Sequence, residues 1–119
     1  MQTRDLNEIV PQDAADRLSA FRRAVSAALP GAVLDVVLFG SRARGDARSD
    51  SDYDVAVILT GDLAEDRRVR GRLADAAWEH VIEGTIIQAI AVPVGAFSVS
   101  SVAHDELAAR VAAEGVSVR

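Results

Sequence analysis

Gly40-Ser41-Arg42-Ala43-Arg44-Gly45-Asp46-Ala47-Arg48-Ser49-Asp50-Ser51-Asp52-Tyr53-Asp54 is the stretch whose reading decides the fold. An apolar run, Ala32 to Phe39, leads into it, and another, Val55 to Leu59, leads out. The segment therefore predicts a strand, a polar turn and a second strand, with Gly40-Ser41 at the exit of the first and Asp52-x-Asp54 at the mouth of the second. Asp is disfavoured in so β-prone a run unless it has a task. Taken singly, Gly40-Ser41 reads as a plain turn and the aspartates as surface residues. Their coincidence at two strand ends points instead to phosphate and metal chemistry.

The physical reasons are separate for each part. Side chains alternate along a strand, so Asp52 and Asp54 share one face, with Cα atoms about 6.5–7 Å apart, while Tyr53 faces away and packs beneath the sheet. Two carboxylates on one face suit magnesium, which takes oxygen ligands and is usually held by one or two carboxylates together with substrate phosphates. Gly40 lacks a Cβ, so it reaches backbone conformations closed to other residues and admits a phosphate close to the main chain. Ser41 adds a hydroxyl. A helical turn over Ser41 to Gly45 would present amide groups to an anion. Arg42, Arg44 and Arg48 stand near as bidentate phosphate partners, with Arg44 ranked first.

Gly40-Ser41, ten intervening residues and Asp52-x-Asp54 resemble the signature of the polymerase-β-type nucleotidyltransferase superfamily. The wider string from Gly40 to Asp52 resembles its minimal nucleotidyltransferases, small prokaryotic proteins encoded beside a helical HEPN-type toxin. The resemblance implies an α/β fold, a small mixed sheet with helices packed on it. It implies transfer of AMP from ATP, with Mg²⁺, to a hydroxyl of the toxin, a tyrosine, so that the chain acts as an antitoxin. It makes Asp52 and Asp54 the catalytic metal ligands and gives Gly40 and Ser41 to the β- and γ-phosphates of the nucleotide, beside Arg44 as the first-ranked phosphate partner read from the residues. Relatives also take a third carboxylate from a neighbouring strand. The candidate strand here, Thr85 to Val92, contains no acid: Ile86 stands at the expected place, and Gln88, on the same face, offers only an amide, which cannot act as a base. Glu79 and Glu83 lie just upstream as alternatives, with Glu83 reading as a solvated helix-end residue. Two further readings thus stay open beside the enzyme: a silent nucleotide-binding antitoxin that neutralises its toxin by docking, and a small-molecule nucleotidyltransferase.

The chain has 119 residues, half of them apolar, which predicts one domain over 1–119 with an aliphatic core. Its net charge of −5 argues against nucleic acid as the direct substrate. There is no cysteine, so disulfides and thiolate metal sites are excluded. Met1 to Val10 lacks the apolar centre of a signal peptide, and the longest mostly apolar stretch, Ile86 to Phe97, is too short for a membrane span of about 20 residues. The expectation is a cytoplasmic protein.

Apolar residues at Ala14, Leu18, Phe21, Val25 and Leu29 predict a helix over Pro11 to Leu29, stopped by Pro30-Gly31. Val69, Leu73, Ala77 and Val81 predict another over Asp62 to Val81, with Trp78 in a packing role. Ser101 is expected to cap a last helix whose first turn holds Asp105 and Glu106, followed by an extended tail, Val116 to Arg119. His80 and His104 read as surface residues. Arg67, Arg68, Arg70 and Arg72 read as a solvated helix face, with a partner or triphosphate contact as the sharper alternative.

Overall fold

The computed structural model describes residues 5–102 and 104–119, without the side chains of Ile82 and Val102. The expectation for the N-terminus falls partly outside this range, at residues 1–4. Helix α1 spans Gln12–Ala28, β1 Val33–Phe39, α2 Ser41–Arg44 and β2 Tyr53–Leu59. Helix α3 follows at Arg67–Trp78, then β3 at Ile87–Pro93, α4 at Val99–Val102, α5 at Glu106–Glu114 and β4 at Val116–Ser117. The strands form one mixed sheet in the order β3-β2-β1-β4, with β1 antiparallel to both its neighbours and β2 parallel to β3. This is the mixed sheet with packed helices that the sequence predicts.

The two central strands are buried on both faces, and alternation sorts their side chains. Val36 and Leu38 of β1 and Val55, Val57 and Leu59 of β2 meet Leu18, Phe21 and Val25 of α1 and Val69, Leu73 and Ala77 of α3. On the other face Val37, Phe39, Ala56, Ile58 and Val92 pack with Ala108 and Val111 of α5. The helical apolar stripes predicted for α1 and α3 are thus the surfaces that cover one face of the sheet. Tyr53 is buried on that face, as alternation requires.

Several expectations are corrected. The second helix begins at Arg67 because the Asp66 side chain accepts from the amides of Arg68 and Val69, a stronger start signal than Asp62. The last helix is two pieces: Asp105, not Ser101, caps α5 by accepting from Ala108 N at 2.9 Å. Trp78 is 67% exposed. It follows Ala77 by one residue, about 100° round the helix, and so misses the buried stripe. His80 is buried, and its imidazole is pushed below its usual proton affinity, chiefly by that burial and then by Arg17. Arg67, Arg68, Arg70 and Arg72 are exposed on α3. That helix covers the face of the sheet opposite α5, which removes the triphosphate contact. Among the described residues no helix is long and apolar enough to cross a membrane.

Asp35 ties the C-terminal end of the chain to the first helix. It accepts from Arg22 at 3.0 Å and from the Ser117 hydroxyl at 2.8 Å, while Arg22 also donates to the Val118 carbonyl. Gly115 lets α5 turn directly into β4. A Cβ there would run into the Val111 carbonyl and the Val37 side chain.

Candidate active site

The site lies where β1 ends and β2 begins. Phe39 pairs with Asp54 across the two strands, so Gly40, the next residue, turns beside the Asp54 side chain. Gly40 has φ 79° and ψ −157°, a region essentially reserved for glycine. A Cβ at this position would sit 2.5 Å from Asp54 Oδ2 and 3.3 Å from its Cγ. Glycine is required here twice over, by backbone angle and by the carboxylate against it.

The chain after Gly40 makes the single turn α2, closed by Gly45 in the left-handed conformation, with the Gly45 and Asp46 amides both donating to the Ser41 carbonyl. Arg42 then braces the loop that leads to the acids. Its guanidinium donates to the Ser51 carbonyl at 2.8 Å and the Ser49 carbonyl at 3.2 Å, and it lies 4.4 Å over the Tyr53 ring. These partners give Arg42 a structural task in place of the phosphate contact open to it in the sequence. Arg48 is exposed, and its amide donates to the Ser51 hydroxyl in the same loop.

Asp54 lies on the face of Ala56 and Ile58, towards α5, and both Asp52 and Asp54 are half-buried. Burial raises the proton affinity of Asp54 above the usual aspartate value. Asp52 and Glu114 push it the same way, against Arg110 and Arg44. An aspartate whose proton affinity is raised by burial and by a neighbouring aspartate, beside a glycine turn, makes a natural cation site. Among the described residues no group of three His, Cys, Asp or Glu side chains converges as a self-sufficient metal cage. The pair fits magnesium all the same: hard oxygen donors are what this ion takes, and it commonly completes its shell with substrate phosphates. The bare Cα of Gly40 keeps the space beside Asp54 free of a side chain.

Gln88 is the register partner of Asp54 in the parallel pair, and Tyr53 N–H donates to the Ile86 carbonyl at 2.8 Å. Both Ile86 and Gln88 are exposed, and neither supplies an acid. Glu83 forms an ion pair with Arg17 of α1, so it is engaged away from Asp54.

The acid that does arrive is Glu114, the last residue of α5. Its Oε1 accepts from Gly40 N–H at 2.9 Å, and both its oxygens accept from Arg44 at 3.1 Å. Arg110, one helical turn earlier, approaches the same carboxylate at 3.6 Å and lies 5.5 Å over the Phe39 ring. Arg44 thus lies at the turn, with its proton held more tightly by Glu114 and then by Asp46. Ser41 is half-buried at the start of α2. Sequence reasoning missed Glu114 and Arg110. The only local signal is their i, i+4 spacing, which on an exposed helix ordinarily means no more than a surface ion pair.

A mixed sheet of this order, with a glycine turn packed on Asp54 beside Asp52, is an α/β domain whose strand mouth could hold a cation and admit a phosphate to the main chain. The nucleotidyltransferase domain family matches residues 18–103, most of the chain, and the chain belongs to that family. No curated protein gives a significant match. Among solved structures, a candidate nucleotidyltransferase from Sulfolobus solfataricus superposes with a TM-score of 0.64 at 18% identity, over 98% of this chain and 87% of its own. A toxin-antitoxin structure with AMP-PNP gives 0.56 at 19% identity, over 85% of this chain and 72% of the other. A mutant toxin-antitoxin MntA-HpeT gives 0.55 at 17%, with the same coverages. At these identities the likeness carries the fold.

Proposed function

We propose that this chain is an Mg²⁺-dependent adenylyltransferase that transfers AMP from ATP to a hydroxyl, a tyrosine, of a HEPN-type partner toxin, and thereby acts as its antitoxin. The observation that carries the reading is the contact of Gly40 with Asp54: a glycine-only turn set directly against one of two aspartates that share a strand mouth. Asp52 and Asp54 would hold the ion, which when bound offsets phosphate charge and polarises the attacking hydroxyl. Gly40 and Ser41 admit the phosphates to the main chain, and Arg44 offers a fork to their oxygens. Transfer forms a bond from the acceptor oxygen to the α-phosphorus and breaks the bond from that phosphorus to the bridging oxygen, releasing pyrophosphate, with the hydroxyl proton lost to solvent. The toxin partner is supported by the fold shared with toxin-antitoxin structures, one of them determined with an ATP analogue.

The test uses purified protein, Mg²⁺, ATP labelled in the α-phosphate and the toxin encoded next to this chain. Label is expected on the toxin and none with Asp52→Ala; undiminished labelling by that variant would overturn the assignment. Ile86 at the place where relatives carry the third acid, with only an amide at Gln88, the register partner of Asp54, favours a second reading in which the chain binds nucleotide and silences its toxin by docking. On that reading Asp52→Ala still neutralises the toxin in cells.

A further inference from the structure

Three groups converge on the Glu114 carboxylate: the Gly40 amide, one terminal guanidinium nitrogen of Arg44, which reaches both oxygens, and the Arg110 guanidinium. We propose that this cluster is the subsite for the terminal phosphates of the nucleotide, that Arg110 belongs to it, and that Glu114 is a displaceable internal stand-in for phosphate. The inference rests on the nucleotide-binding reading above and specifies how that site is filled and emptied.

Three features support it. First, the donor set is anion-selective and suits phosphate better than an isolated carboxylate: two guanidinium groups face one acid, and their planar forks match phosphate oxygens. Second, each arginine has an anchor that does not depend on Glu114. Arg44 donates to Asp46 at 3.2 Å, and Arg110 lies over the Phe39 ring. The cluster therefore keeps its shape when Glu114 leaves. Third, Glu114 is the last residue of α5, so its side chain can turn outward without disturbing the buried Ala108 and Val111.

A carboxylate already seated in the subsite must be displaced by the terminal phosphates of a ligand, so its removal tightens binding only of ligands that carry a polyphosphate. Calorimetric titration with AMP-PNP, AMP and inorganic tripolyphosphate, each with Mg²⁺, reads this directly. Glu114→Gln is expected to bind AMP-PNP and tripolyphosphate several-fold more tightly than the unaltered chain and AMP equally well. Arg110→Gln is expected to weaken the first two and leave AMP unchanged. Glu114→Asp, which keeps the charge but is one methylene too short to span the cluster, should tighten binding in the same direction, and it carries the test if the glutamine variant folds poorly. Weaker AMP-PNP binding by both Glu114 variants would overturn the inference and make Glu114 a supporting ligand. Equal binding by all the variants would overturn it too. If the unaltered chain binds no AMP-PNP at all, the nucleotide reading fails on its own, and tripolyphosphate alone then decides whether the subsite exists.

Discussion

Replacing Gly40 with alanine separates the geometry of the site from general stability. Two effects add. The backbone at φ 79°, ψ −157° costs a non-glycine residue about 1–3 kcal/mol, which for a chain of this size lowers Tm by roughly 5–15 °C. The new methyl also meets Asp54 Oδ2 at 2.5 Å, where ordinary contact starts at 3.4 Å. The oxygen ends a flexible side chain, so the carboxylate yields by about 0.9 Å instead of the sheet breaking. A displacement near 1 Å at a reacting centre costs about 100-fold in rate. Gly45→Ala is the control: φ is +84° there and nothing lies within 4 Å of the added Cβ. It carries a left-handed backbone cost of about 1–2 kcal/mol without touching Asp54. The assay pairs thermal melts with kcat/KM for Mg²⁺-dependent transfer from ATP. Gly40→Ala should lose about two orders of magnitude in transfer, while Gly45→Ala loses no more than a few-fold despite a measurable fall in Tm. Equal losses in the two variants would refute the claim that Gly40 is needed for the position of Asp54.

Other outcomes follow from single contacts. His80 is buried with a lowered proton affinity, so the unfolded chain takes up its proton first as pH falls. The stability from the neutral imidazole is complete above the ordinary histidine value of 6.5 and is lost on acidification below it; melts at about pH 7.5 and about pH 5 should show a smaller difference in His80→Gln than in the unaltered chain. Arg42→Lys cannot reproduce a fork over two carbonyls and a ring, and should weaken AMP-PNP binding by loosening the loop before Asp52 while lowering stability by about 1–2 kcal/mol in denaturant titration. Phe21 is fully buried between α1 and the sheet, and Phe21→Ala should cost about 3–5 kcal/mol by the same measurement, irrespective of ligand.

The features legible in the sequence were those written in local periodicity. The strand, turn and strand around Gly40 to Asp54, the stripes of α1 and α3 and the inward placement of Tyr53 all follow from spacings of two or about 3.6 residues. The phase of a stripe matters as much as its presence. Trp78 was misplaced because its apolar character was read without its angle from Ala77. His80 lies in the turn beyond α3, where helical periodicity no longer applies. Glu114 could not be found locally, since it bonds to a residue 74 positions away and nothing in the helix around it names that partner. The Thr85 to Val92 segment already shows in the sequence that it holds no third acid, with Ile86 at the expected place; the structure adds that Gln88 is the register partner of Asp54 and that both Ile86 and Gln88 are exposed.

Glu114 and Arg110 reach the strand mouth only while α5 stays docked through Ala108 and Val111. Among the described residues, the core of the other face, between the sheet and α1 and α3, contains none from α5. Local opening of a helix can cost far less than global unfolding. A molecule with α5 detached would keep its central strands and its aspartate pair but surrender one wall of the mouth. Ligand affinity and protection of the α5 amides against hydrogen exchange are thus coupled quantities, each reporting on the other.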